Sequence, residues 1–347
     1  MAMFEGKTII LGAPTDYQFS DTIERELIYQ GFEVVNISYS PTNFKYKHIF
    51  ERLKSFVHKN FLGQKDYKVY LKSKRIEGQI LKQLKQVTVA DYALLIRPDQ
   101  YSHLVLDKIR SKAVHMVGYQ WDGLSRFPNV LNCMEFFDRF FVFDPKDMTD
   151  ENLLPLTNFY TNSFRISYDP SMESDACYIG TYMRDRIGQV EEIICTLRDY
   201  GLNVRTHLYC GRKKGKVISS GLPLEERRLS YAENLVVSAH SKIIIDVHHG
   251  GHQGLSFRVF EALGFGRKLI TTNQEIKKYD FYHPNNILVW GNHTEEELRA
   301  FLAAPVVAPL PHIRDKYSFS NWISYVLGHR QCQHIQLPTL EEEKLVC

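Results

Sequence analysis

Short apolar runs alternate with amphipathic ones along almost the whole chain. KTIILGAP (7–14) ends in Gly and Pro and predicts a buried strand. DTIERELIYQGF (21–32) repeats apolar residues at helical spacing and closes on Gly31, which predicts a helix. EVVNISY (33–39), ADYALLIRP (90–98), KAVHMVGYQW (112–121) and RFFVFD (139–144) predict four further strands. Residues 145–174 are richer in Pro, Asn, Ser and Thr and read as a connector. A second series then begins. ACYIG (176–180), NVRTHLYCG (203–211), KIIIDV (242–247), 268–271 and NNILVW (285–290) predict strands. RIGQVEEIICTLRDYG (186–201), SYAENLVVSAH (230–240), 255–263, TEEELRAFLAA (294–304) and KYSFSNWISYVLGH (316–329) predict helices, and the tail to Cys347 reads as unstructured. Strands separated by helices argue for parallel sheets with right-handed crossovers. The pattern therefore predicts an α/β chain of two doubly wound units joined by a connector.

Composition agrees with two cores: 347 residues, 44% apolar and 13% aromatic. The net charge of +3 is small, but its distribution is uneven. Between Phe44 and Gln86 twelve Lys and Arg face three acids, a local net of +9. Apolar residues recur there at helical intervals (Ile49, Leu53, Phe56, Val57, then Ile76, Ile80, Leu84), which predicts basic amphipathic helices. No nucleic-acid-binding motif accompanies them, so nucleic acid is not an expected partner. No apolar run reaches the roughly 18 residues of a spanning helix. MAMFEGKTIILGAP runs into a strand, so no signal peptide is expected. Six cysteines show neither C-x-x-C pairs nor zinc spacing, which predicts a reducing compartment and no structural metal.

In doubly wound sheets ligands bind at the carboxyl ends of strands, where helix N-termini point amides outward. Three turns after the second-half strands are candidates. YIGTYMRDR (178–186) places Gly180, Arg184 and Arg186 after a strand; the glycine admits a phosphate closely and arginines bind it in bidentate fashion, unless they face solvent. GRKKGK (211–216) is a basic loop that could close on an anion or remain solvated. The third, IIIDVHHGGHQGLSFRVFEALGFGRKLITTN (243–273), ends a buried strand at Asp246 and continues with His248, His249 and His252 among glycines. A loop this rich in glycine offers no fixed metal-binding face, so the histidines are expected to line a pocket. With a helix starting near Leu255, Gln253 sits at its N-terminal mouth. Glu261, about two turns on in an apolar stretch, needs a partner: sugar hydroxyls, water or Arg258.

QGLSFRVFEALGFGRKLITTN resembles the donor-site signature of GT-B glycosyltransferases. In the retaining families of that fold the signature runs Glu-Gly-Phe-Gly, four residues, Glu-Ala, then a small-Gly turn and an apolar strand. Glu261 matches the second Glu, which binds the nucleotide ribose. Gln253 occupies the first position, and a neutral amide does not offer the same charge. YIGTYMRDR resembles the Gly-Arg turn that opens the C-terminal domain of these enzymes. YQWDGLSRFP (119–128), FDRFFVFDPKD (137–147) and the 241–289 region are similar to the CgeB-like group of bacterial capsule and exopolysaccharide glycosyltransferases.

The resemblance implies two Rossmann-like domains facing across a cleft: 1–165 for the acceptor and 166–312 for the nucleotide-sugar. A crossing helix and tail (313–347) would return to the first domain, packing Trp322 and Tyr325 there. It implies transfer of a sugar from a nucleotide-activated donor to a surface polysaccharide or lipid-linked glycan. The donor would be a co-substrate, with no bound cofactor and no metal. Gly180, Arg184, Gln253, Gly254 and Lys268 would surround the diphosphate, and His248, His249 and His252 the sugar. Asp122 would contact the acceptor or act as general base, unless it only caps a turn. Asp122, His249 and Gln253 are thus the catalytic expectations. The basic 44–86 segment would meet an anionic membrane surface or a lipid-pyrophosphate carrier, on a cytoplasmic protein associated with the inner face of the plasma membrane. Two alternatives share the pattern: a sugar-nucleotide epimerase or hydrolase, and a non-catalytic polysaccharide-assembly partner.

Overall fold

A computed structural model describes residues 3–15, 18–39, 48–60, 67–211 and 221–338. Most of the GRKKGK loop, residues 40–47 and 61–66 of the basic region, and the tail from 339 lie outside these. The apolar runs become strands and the amphipathic runs helices. In chain order these are β1 (Thr8–Gly12), α1 (Phe19–Tyr29), β2 (Glu33–Asn36), α2 (Ile49–Asn60), α3 (Tyr67–Leu84), β3 (Ala90–Ile96), α4 (His103–Arg110), β4 (Ala113–Gln120), β5 (Arg139–Val142) and β6 (Leu153–Pro155). There follow β7 (Ser174–Thr181), α5 (Ile187–Asp199), β8 (Val204–Tyr209), β9 (Leu224–Glu225), α6 (Tyr231–Ala239), β10 (Ser241–Asp246), α7 (Phe257–Phe265), β11 (Lys268–Thr271), β12 (Ile287–Val289), α8 (Glu295–Ala303), α9 (Pro311–Lys316) and α10 (Phe319–Val326).

The strands form two six-stranded sheets, ordered β2-β1-β3-β4-β5-β6 and β12-β11-β10-β7-β8-β9. The β1–β2, β1–β3 and β3–β4 pairings are parallel, as are all pairings of the second sheet. The chain divides into two compact units, Met1–Gln120 with Phe127–Phe140, and Trp121–Arg126 with Phe141–Cys347. Four elements escape the sequence pattern. α4 and α9 span only eight and six residues, and β6 and β9 only three and two, too few for periodicity to register.

In the second unit, β10 shows why the sheet needs helices on both faces. Ile243, Ile245 and Val247 point into a core closed by Val190, Ile193 and Leu197 of α5 and by Leu298 and Phe301 of α8. Ile244, with the opposite pleat, joins Val259, Phe260 and Ala262 of α7. The α10 helix buries Trp322, whose Nε1 donates to the Thr157 carbonyl at 2.9 Å and whose ring packs on Phe159. Tyr325 meets Phe141 edge-on. The last helix thus returns to residues 141–159, ahead of the second sheet in the chain.

Candidate functional site

Strand order reverses between β7 and β10. From β7 the chain steps outward through β8 and β9, and from β10 it steps the opposite way through β11 and β12. Loops leaving the carboxyl ends of two such strands diverge and leave a crevice. The loops here are 182–186 and 247–256, the ones that sequence singles out.

Asp246 ends β10 and is 2% exposed. Its Oδ1 accepts from Ser256 Oγ at 2.8 Å and its Oδ2 from Thr271 Oγ1 at 3.1 Å. Ser256 is the N-cap of α7, yet its hydroxyl turns to Asp246 and does not cap the first turn. That end of the helix therefore keeps its capacity for an anion. Arg258 Nη1 lies 3.6 Å from Asp246, and Nη2 donates to the Ile179 carbonyl on β7, tying α7 to both strands of the reversal.

One helical turn beyond Arg258, Glu261 is 4% exposed and accepts from Ser238 Oγ of α6 at 3.2 Å. Burial pushes its carboxyl above the usual range, and the charge of Arg258 opposes this. α7 begins two residues later than the sequence pattern predicts. Gln253 therefore lies in the loop ahead of the helix rather than at its mouth. Its backbone N–H donates to Asp144 Oδ1 at 3.1 Å, its backbone carbonyl accepts from Asn273 Nδ2 at 3.2 Å, and its buried Oε1 has no hydrogen-bond partner among the described residues. At Gly254 a Cβ would sit 2.4 Å from the Phe143 ring and 2.6 Å from the Phe143 carbonyl oxygen, so no larger residue fits without movement.

The histidines have distinct roles in this loop. His252 Nδ1 lies 3.1 Å from the Gly254 carbonyl and must donate to it, which leaves Nε2 as the acceptor of the neutral ring. His248 Nδ1 faces Asn273 Nδ2 at 3.4 Å, an amide donor, which places the proton on Nε2. Burial lowers the pKa of both rings; for His252 the neighbouring His248 lowers it further, while Asp144 and Asp122 pull it up. His249 Nδ1 accepts from Gly251 N at 3.2 Å, and its ring stacks on His252. Among the described residues no three His, Cys, Asp or Glu side chains are grouped to hold a metal ion.

The 121–126 stretch of the same unit completes the surroundings. A Cβ on Gly123 would lie 3.5 Å from Asp144 Oδ2 and from the Gly251 carbonyl, so Asp122 and its neighbour run alongside the histidine loop. Asp122 is part-buried and 3.6 Å from Arg126 Nη1. Asp147 holds this stretch by accepting from Leu124 N at 2.8 Å. Burial raises its carboxyl to about 6, with the Asp144 charge adding to the effect.

The structure thus brings Asp122, His248, His249, His252, Gln253 and Gly254 together. Gly180 stands near the end of β7, with the Tyr178 hydroxyl where a Cβ would go. Arg184 is exposed, whereas Arg186 turns inward and Nη1 donates to the Val247 carbonyl at 3.3 Å. Lys268 stands apart from the expected diphosphate group. It opens β11 at the amino edge of the sheet, and its ammonium donates to the Phe301 and Ala304 carbonyls at the end of α8. Two residues were not anticipated. Asp144, 2% exposed, anchors Gln253, and Asn273 ties the loop to β11. Asp144 had a signal, since RFFVFD, like IIIDV, is an apolar strand closed by an acid.

No protein-family model matches the sequence, and neither does any curated protein. Among solved structures the chain is similar to an alpha-glucosyltransferase in complex with UDP-glucose and DNA containing an abasic site, at 11% identity over 92% of this chain and 93% of that one, with a TM-score of 0.48. A UDP-forming trehalose-phosphate synthase from Burkholderia xenovorans is similar at 10% identity over 93% and 99%, TM-score 0.49. A UDP-GlcNAc 2-epimerase from Neisseria meningitidis bound to UDP-GlcNAc is similar at 11% identity over 92% and 98%, TM-score 0.44.

Proposed function

We propose that this chain is a glycosyltransferase that moves a sugar from a nucleotide-activated donor to a surface-polysaccharide or lipid-linked glycan acceptor. One observation carries the reading. At the reversal point of a parallel sheet, α7 presents a first turn that its N-cap Ser256 leaves uncapped, and the same helix buries a carboxylate about one turn in. An amide-rich helix start suits a diphosphate, and a carboxylate with up to four acceptor positions suits a ribose diol. Ser238 fills one of those positions on Glu261.

In the transfer, an acceptor oxygen forms a bond to the anomeric carbon. The bond from that carbon to the diphosphate breaks, and its electron pair leaves on the diphosphate. The start of α7, with Arg184 and Arg186 on the loop that follows the neighbouring strand β7, stabilises that developing charge. Asp122 takes the acceptor proton or orients the hydroxyl, and His249 and Gln253 act near the sugar. The acidic partners of the Gly-His loop, Asp144 and Asp246, position rather than react.

Melting curves with uridine, guanosine and cytidine diphosphates test the reading. One diphosphate at a hundredfold excess over its Kd should stabilise the protein by about 2.7 kcal/mol. Glu261→Ala and the isosteric Glu261→Gln should lose most of that gain. If no diphosphate stabilises the protein, or if both variants keep the full gain, the site assignment fails. Incubation with the matching nucleotide-sugar and no acceptor separates the enzyme classes, because rapid isomerisation of the sugar would replace transfer with epimerisation.

A further inference from the structure

The α2 helix exposes apolar side chains along one side. Ile49 is 78% exposed, Phe50 77%, Leu53 58% and Val57 39%. At about 100° per residue these four positions occupy one sector about 100° wide. Exposed Arg52 and Lys54 stand on its two borders. Soluble helices turn such a sector inward; a helix that displays it between cations has the arrangement of one lying in a membrane interface. No described helix is long and apolar enough to cross a membrane, so contact of this kind would be in the plane of the surface.

We propose that α2 docks this face on an anionic lipid bilayer. Ile49, Phe50 and Leu53 enter the boundary between headgroups and acyl chains, and Arg52 and Lys54 meet lipid phosphates at the rim. Charge selects this occupant over a second copy of the chain. Two copies joined face to face would bring Arg52 and Lys54 of both against each other, whereas an anionic surface neutralises them. Exposed Lys82 of α3 and Lys85 just after it add to the same balance in this unit. The inference concerns the first unit alone and stands separately from the chemistry proposed for the second.

Flotation of the full-length protein with vesicles tests it, using phosphatidylcholine alone or mixed with phosphatidylglycerol, at low and high salt. The protein should float with the mixed vesicles, fail to float with neutral ones, and detach as salt rises. Phe50→Glu with Leu53→Glu should weaken binding at least about tenfold. Arg52→Gln and Lys54→Gln should each weaken it about fivefold and flatten the salt dependence. All four side chains are exposed, so melting temperatures should not move and serve as the folding control. Absence of flotation with mixed vesicles overturns the proposal. So does equal flotation of the Phe50→Glu/Leu53→Glu variant, or a dimer in sedimentation that this variant dissolves while vesicles remain unbound.

Discussion

Asp147 gives the sharpest physical test. It is 8% exposed, its Oδ2 accepts from Leu124 N, and burial raises its carboxyl from 3.8 to about 6. In the unfolded chain the same group ionises near its ordinary value. Below that value both states hold the proton and Asp147 contributes nothing to the pH dependence. As pH rises toward about 6 the unfolded state releases its proton first, so stability falls, and above about 6 the loss is complete. A displacement of about two pH units at about 1.4 kcal/mol each makes the loss about 3 kcal/mol. Asp147→Asn keeps an acceptor for Leu124 N and removes the titration. For a unit of this size 1 kcal/mol moves a melt by about 2–4 °C. The variant should therefore gain about 6–12 °C over the parent on going from about pH 4.5 to about pH 7.5, less the part of the titration already complete at the lower pH. Paired thermal melts across that range measure the difference, in which titrations common to both proteins cancel. A difference that stays flat with pH would refute the burial argument and leave Asp147 an ordinary ionised carboxylate.

Gly254→Ala should cost about 1–3 kcal/mol, because its methyl meets both the ring and the carbonyl of Phe143 and cannot be relieved by a rotamer change alone. An unchanged urea midpoint would show that the loop is not packed as described. Lys268→Met should leave nucleoside diphosphate affinity unchanged, since the ammonium is bonded to carbonyls at the opposite edge of the sheet. Loss of that affinity, measured by calorimetry on a protein that melts like the parent, would return Lys268 to the site.

The alternation of apolar and amphipathic runs carries most of the fold because burial on two faces forces it. A central parallel strand such as IIID has no polar face to display, and a covering helix such as α7 needs one apolar stripe. What the alternation omits is short or long-range. α4, α9, β6 and β9 are too brief to show a period, and their partners lie elsewhere in the chain. The site divides in the same way. Asp246, the histidines and Glu261 are legible because they are local, crowded around one strand end and one helix. Asp144 is separated from Gln253 by more than a hundred residues, and nothing near either announces the 3.1 Å hydrogen bond between them. Yet the two acids have similar positions: Asp246 is the last residue of β10, and Asp144 follows two residues after β5. A carboxylate there is buried by the strand, so it persists only where backbone amides or hydroxyls reach it. At Asp246 those donors are Ser256 and Thr271; at Asp144 they are the amides of Gln253 and Lys146. The acid at a strand end thus predicts a loop folded back onto it, and both loops found this way belong to the histidine turn or border it.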